Sequence, residues 1–188
     1  MLSPELRGLI KGCMNGNRSA QKSLYQTYYG SAMIVCLRYS GNRDEAAAIL
    51  NNGFVKAYSN LSEVLQGAEV RQWLGKIMID ASINYYREEL GNGQWQGPSA
   101  EQPDRDIDIS EINLSGNCLI DILQKLPTPL RIVFNLFAID GVTHKKIAGK
   151  LNITVEISEG QLRAARFKLK EIISATKCKS PDTQGQRE

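Results

Sequence analysis

Residues 143–169, THKKIAGKLNITVEISEGQLRAARFKL, carry the side chains best suited to a nucleic-acid partner. Lys145, Arg163, Arg166 and Lys168 are cations that can neutralise phosphates, while Gln161 and Arg163 are placed for base edges. Ser158 adds a hydroxyl to the same expected DNA-binding set. Glu156 and Glu159 run against it, because a carboxylate is repelled by phosphate and can accept only from cytosine N4 among major-groove edges. Gly160 beside Glu159 costs its helix about 1 kcal/mol relative to Ala. This is chemistry of binding, in which no covalent bond changes. The single histidine, His144, stands beside Lys145 and Lys146 and reads as a solvated helix start. The chain has no Gly-rich phosphate loop, nucleophile elbow or paired metal ligands. No enzyme, cofactor or metal is therefore expected.

Two short helices must position these groups. Ile147, Ala148 and Leu151 recur at helical spacing after Thr143, a candidate N-cap. Asn152 interrupts the pattern, Ile153 plugs the turn, and Thr154 can cap a second helix with Ile157, Leu162, Ala165 and Leu169 in one stripe. A short helix, a tight turn and a longer helix form the helix-turn-helix unit that enters the major groove, although an ordinary helical hairpin has the same pattern.

The chain of 188 residues is 42% apolar and 23% charged, ordinary for a globular protein. No apolar run is long enough to span a bilayer, so no membrane insertion is expected. The opening MLSPELRGLIKGC lacks the apolar core of a signal peptide, and a cytoplasmic location is expected. Cys13, Cys36, Cys118 and Cys178 form no CxxC-type pair, which predicts buried free thiols rather than zinc or disulfides. The net charge is +3, with residues 118–188 contributing +5 and residues 91–117 contributing −4. A basic C-terminal third suits a nucleic-acid partner, and a solvated surface accounts for it equally. The stretch GNGQWQGPSAEQPDRDIDIS has little apolar periodicity and reads as a linker. The expected fold is all-α: two small helical domains, 1–90 and 114–176, joined by a flexible acidic linker, 91–113. A disordered tail, 177–188, follows the second, helix-turn-helix domain.

Longer motifs point to a family. LIKGCMNGN, LYQTYY, CLRYSGNRDEA and GFVKAY follow one another within residues 9–61, and VRQWLGKIMIDASINYYREE occupies 70–89. Together they resemble the second conserved region of extracytoplasmic-function (ECF) sigma factors. LIDILQKLPTPLRIVFNLFAIDGVTHKKIAGKLNI resembles the fourth conserved region, in a form like that of Bacteroidota. The ordered resemblance spans residues 5–175. It implies a protein that binds core RNA polymerase, opens the −10 element of promoter DNA with its first domain and reads the −35 element with its second.

The resemblance also assigns residues. Ala46, Ile49, Leu50, Phe54 and Ala57 are expected to face the interior. The polymerase-binding set is then Asp44, Glu45, Asn51, Asn52, Val55 and Lys56, with Asn51 and Asn52 standing where the family usually has Gln-Glu or Gln-Asp. In the strand-opening helix Asp80 replaces the usual Asn, and Glu88 and Glu89 replace basic residues. Lys76, Ser82, Asn84 and Arg87 remain as DNA contacts, and Trp73 either stacks a base or joins the core. Aligned without gaps, NITVEISEGQL departs from a family pattern near NISEGTSKSQL. Glu159 replaces Lys or Arg, Gly160 replaces Ser, and Glu156 replaces Gly. The −35 reader is expected to keep its fold and to be weakened as a reader. Promoter choice would then be shared with a DNA-binding or RNA-guided targeting partner, and an anti-sigma factor is a further expected partner class. The alternative is an adaptor or anti-activator that binds protein and no longer opens DNA.

Overall fold

The computed structural model describes residues 3–90 and 116–175. The expected linker and tail, 91–113 and 177–188, lie outside the described residues. The chain divides into two compact units, Met1–Asn92 and Gly93–Glu188. Every regular element among the described residues is a helix, and none is long and apolar enough to cross a membrane.

In the first unit, α1 (Pro4–Met14), α2 (Arg18–Tyr39), α3 (Arg43–Ser59) and α5 (Val70–Leu90) form the core, with a single turn, α4 (Ser62–Leu65), between α3 and α5. Polar residues start the helices. Ser3 Oγ accepts from Leu6 N–H, and Asn17 Oδ1 accepts from the amides of Ser19 and Ala20. Such caps satisfy amides that have no partner within the helix.

Asn42 and Glu45 form a reciprocal cap at the start of α3. Glu45 N–H donates to Asn42 Oδ1 at 2.9 Å, and Glu45 Oε2 accepts from Gly41 N–H at 2.8 Å. Tyr86 in α5 donates to the same carboxylate at 2.5 Å, so one side chain both caps α3 and ties it to α5. Ala46, Ile49, Leu50, Phe54 and Ala57 are all buried, as their spacing predicts. Gly53, also buried, lets α5 approach: a Cβ there would run into the Met78 thioether.

In the second unit, α6 (Gly116–Gln124) and α7 (Thr128–Phe134) lead through a π-helical turn (Asn135–Ile139) to α8 (His144–Leu151) and α9 (Val155–Ala175). Arg131 is 2% exposed yet satisfied: it donates to the carbonyls of Gln124 and Leu126 and to Thr128 Oγ1. It thereby caps the end of α6 from inside the core, where an unsatisfied cation would be costly. Asn152 takes the left-handed conformation at φ 55° and ends α8, and Thr154 Oγ1 accepts from Ile157 N–H to open α9. The Thr143 side chain, in contrast, makes no capping bond.

Two cysteine expectations hold and one is corrected. Cys13 and Cys36 are free and buried, and burial pushes the Cys36 thiol up to about 12. Cys118 is disulfide-bonded. Separation along the chain says nothing about proximity in the fold, which is why the spacing misled. Cys178 lies outside the described residues.

Candidate nucleic-acid and polymerase interface

Helix α3 presents one face to the interior and the opposite one to solvent. Asp44, Asn51, Asn52, Val55 and Lys56 are exposed, and Val55 reaches 67%. Two amides and an ammonium flank this exposed apolar side chain. Glu45 departs from the expectation. It is half-buried, with its carboxylate held by Gly41, Asn42 and Tyr86, so its first task is to start α3.

In α5, expected to open the strands, the structure decides between the two alternatives for Trp73 and corrects Ser82. Trp73 is 6% exposed and its indole N–H donates to Glu63 Oε2 at 2.9 Å, which removes the ring from base stacking. Ser82 is fully buried and its hydroxyl donates to the Met78 carbonyl, a bond that takes it away from DNA. Lys76, Asp80 and Arg87 are exposed, and Asn84 is half-buried.

Helix α9 is sorted by burial as well. Ser158 and Gln161, expected as DNA contacts, are 0% and 2% exposed and offer no edge to a base. They share the inward stripe of Leu162, Ala165 and Leu169, all buried. The spacing 158, 161, 162, 165, 169 is itself helical and carries that signal; polarity concealed it. Glu156, Glu159 and Arg163 remain exposed, Gly160 lies between them, and Arg166 is half-buried. Hydrogen bonds with its own backbone and with Thr154 hold the Glu156 carboxyl below its ordinary value, so this anion stays charged at the start of α9. Lys168 pairs with Glu171 at 2.8 Å on the surface, an arrangement that contributes little to stability and partly offsets a phosphate contact.

Helix α8 has the opposite sign. Lys145, Lys146 and Lys150 are exposed, and the helix carries no acidic residue. His144, expected to be solvated, is half-buried: its ring stacks on Phe137 and its Nδ1 lies 2.9 Å from Ser158 Oγ. The surface of the helix-turn-helix is therefore basic on its first helix and acidic over the first two turns of its second.

The chain is similar to several known proteins. Residues 116–169 match the family described as Sigma-70, region 4. The chain is 22% identical over 179 residues to the ECF RNA polymerase sigma-E factor of Haemophilus influenzae, covering 89% of this chain and 92% of that protein. It is also 22% identical over 180 residues to the RNA polymerase sigma-H factor of Pseudomonas aeruginosa, covering 88% and 90%. A solved structure of the sigma factor RpoE with the anti-sigma factor NepR from Bartonella quintana aligns with a TM-score of 0.46 and 15% identity, covering 83% of this chain and 98% of that one.

Proposed function

From its membership of the extracytoplasmic-function sigma factors, the family to which this chain belongs, we infer that it binds core RNA polymerase and directs transcription initiation. The first unit, residues 1–90, docks on polymerase through the exposed face of α3 and opens the −10 element. The second, residues 114–176, engages DNA upstream. The exposed face of α3, with Val55 67% exposed beside Asn51, Asn52 and Lys56, is the observation that supports this reading.

The −35 contact is weak in sequence terms. With Ser158 and Gln161 buried, Arg163 is the remaining exposed α9 side chain able to bond a base bidentately, and Glu156 and Glu159 flank the approach. Phosphate contacts from α8 hold the domain on DNA without choosing the site. Promoter choice is then shared with a DNA-binding partner, of which an RNA-guided protein is one kind.

The test is co-elution of the full chain with core RNA polymerase, followed by transcription from a randomised promoter pool. Asn52→Lys with Val55→Asp changes two exposed side chains, so the fold should persist while co-elution is lost. Unchanged co-elution would move docking off α3. Co-elution with no transcript from any promoter would favour a protein-binding adaptor instead.

A further inference from the structure

His144, the single histidine in the chain, is the first residue of α8. Its ring lies on Phe137 with centroids 4.2 Å apart and planes 20° from parallel. Its Nδ1 reaches the fully buried Ser158 of α9 at 2.9 Å. One ring face and one nitrogen are thus fixed by the fold. Nε2 makes no hydrogen bond to any described residue, and the side chain is half-buried, so this edge is left for a ligand. Lys145 and Lys146 follow it directly and are exposed.

We infer that His144 is a phosphate contact of the helix-turn-helix, made through Nε2, and that it takes up a proton from solvent as DNA binds. This rests on the reading of the second unit as a DNA-binding domain. In the tautomer with Nδ1–H donating to Ser158 Oγ, the lone pair sits on Nε2. A proton from water converts the neutral ring to imidazolium, whose Nε2–H then donates to a phosphate oxygen in a charge-assisted bond. Neither internal contact is lost. The Nδ1–H bond stays, and the stacked Phe137 ring favours the cation.

The surroundings favour the neutral ring in the free protein. Burial lowers its proton affinity; Glu159 opposes this, and Arg166 and Arg163 add to it. These three are the charged groups acting on the ring from α9. Lys145 and Lys146 adjoin it on its own helix, the preceding π-helical turn supplies the uncharged Phe137, and Asp140 is the charged residue of the connecting loop. A phosphate oxygen in contact with Nε2 adds a second anion beside Glu159 and so opposes the effect of burial and of the two arginines. Proton uptake and DNA affinity are then coupled reciprocally.

The full chain is titrated with a fluorescent pool of randomised duplexes at fixed salt, at about pH 7.5 and about pH 6, the range in which an imidazole changes charge. Affinity should rise severalfold on acidification. His144→Asn keeps a donor near Ser158 and cannot titrate, so its affinity should not change between the two pH values. Calorimetry of the native chain in two buffers of different ionisation enthalpy should register proton uptake on binding, a readout that does not depend on the variant folding. Flat affinity, no proton uptake, or a pH response that survives in His144→Asn overturns the inference. Absence of DNA binding at both pH values overturns the DNA-binding reading itself, and the inference with it.

Discussion

Glu159→Lys combined with Gly160→Ser tests whether the start of α9 faces phosphate. Residue 159 is exposed, and the swap changes its charge by two units without touching the core. At position 160 a Cβ would meet only Arg163 Nη2, at 4.0 Å, so a serine fits. Serine also raises helix propensity over glycine by roughly 0.3–0.5 kcal/mol. That gain belongs to stability alone, since α9 is already helical without DNA. The affinity change therefore comes from exchanging the carboxylate at position 159 for an ammonium. One new charge-assisted contact of about 1.5 kcal/mol is worth a little over tenfold. One extra neutralised phosphate steepens the log–log salt dependence by about 0.9, so raising salt from about 50 to about 200 mM removes about 3.5-fold of the gain. Anisotropy titrations of the full chain against randomised duplexes at both salt levels measure the two quantities together. An unchanged salt slope would mean that residue 159 points away from the backbone. A native chain that already selects a clear motif with nanomolar affinity would make Glu159 a reader of cytosine, and the idea of shared promoter choice would lose its support.

Two further outcomes are expected. Gly53→Ala should destabilise the first unit by about 1–3 kcal/mol, because the new methyl runs into Met78 Sδ and lies 2.8 Å from Cε in a filled core; denaturant melts should show that Met78→Ala in the same chain recovers part of the loss. Because burial lowers the His144 proton affinity in the folded state, the unfolded chain takes up its proton first as pH falls. The stability this residue contributes is complete above the ordinary imidazole value of 6.5 and is lost as pH falls through the lower folded value. The melting temperature of the DNA-free chain should therefore drop over that range by more than it does in His144→Asn.

Much of the fold was legible because its helices obey local rules. The apolar stripe of α3 shows in its periodicity, and the Thr154 start of α9 in a polar residue just ahead of an apolar run. What the sequence hid was the fate of polar side chains whose partners are distant. Trp73 is fixed by Glu63, Glu45 by Tyr86 and Arg131 by the end of α6, and no local pattern announces such pairs. The π-helical turn at Asn135–Ile139 was equally invisible, because one extra residue in a helix leaves the apolar spacing almost unchanged.

The same distinction decides how α9 should be read. Taken by residue type, Ser158 and Gln161 are DNA contacts and the two glutamates are blemishes on a basic reader. Taken by helical position, Ser158 and Gln161 fall on the stripe that ends at Leu169, and the structure buries them. The outward face is then 156, 159, 160 and 163: two carboxylates, a glycine and one arginine. A face of that composition cannot supply affinity by neutralising phosphates, since its first two turns bring negative charge to a negative surface. If this unit binds DNA as proposed, its affinity would rest on the lysines of α8, on the cations farther along α9 and on any proton His144 acquires. Such groups would contact backbone, which every sequence presents alike. In the first three turns of α9 Arg163 is the exposed side chain suited to a bidentate base contact, and a single such contact discriminates by about 1–3 kcal/mol. That falls short of the roughly 4–10 kcal/mol by which specific complexes exceed non-specific ones. On the proposed reading, a domain with this surface would hold DNA once placed there, and the placing would be shared with another contact.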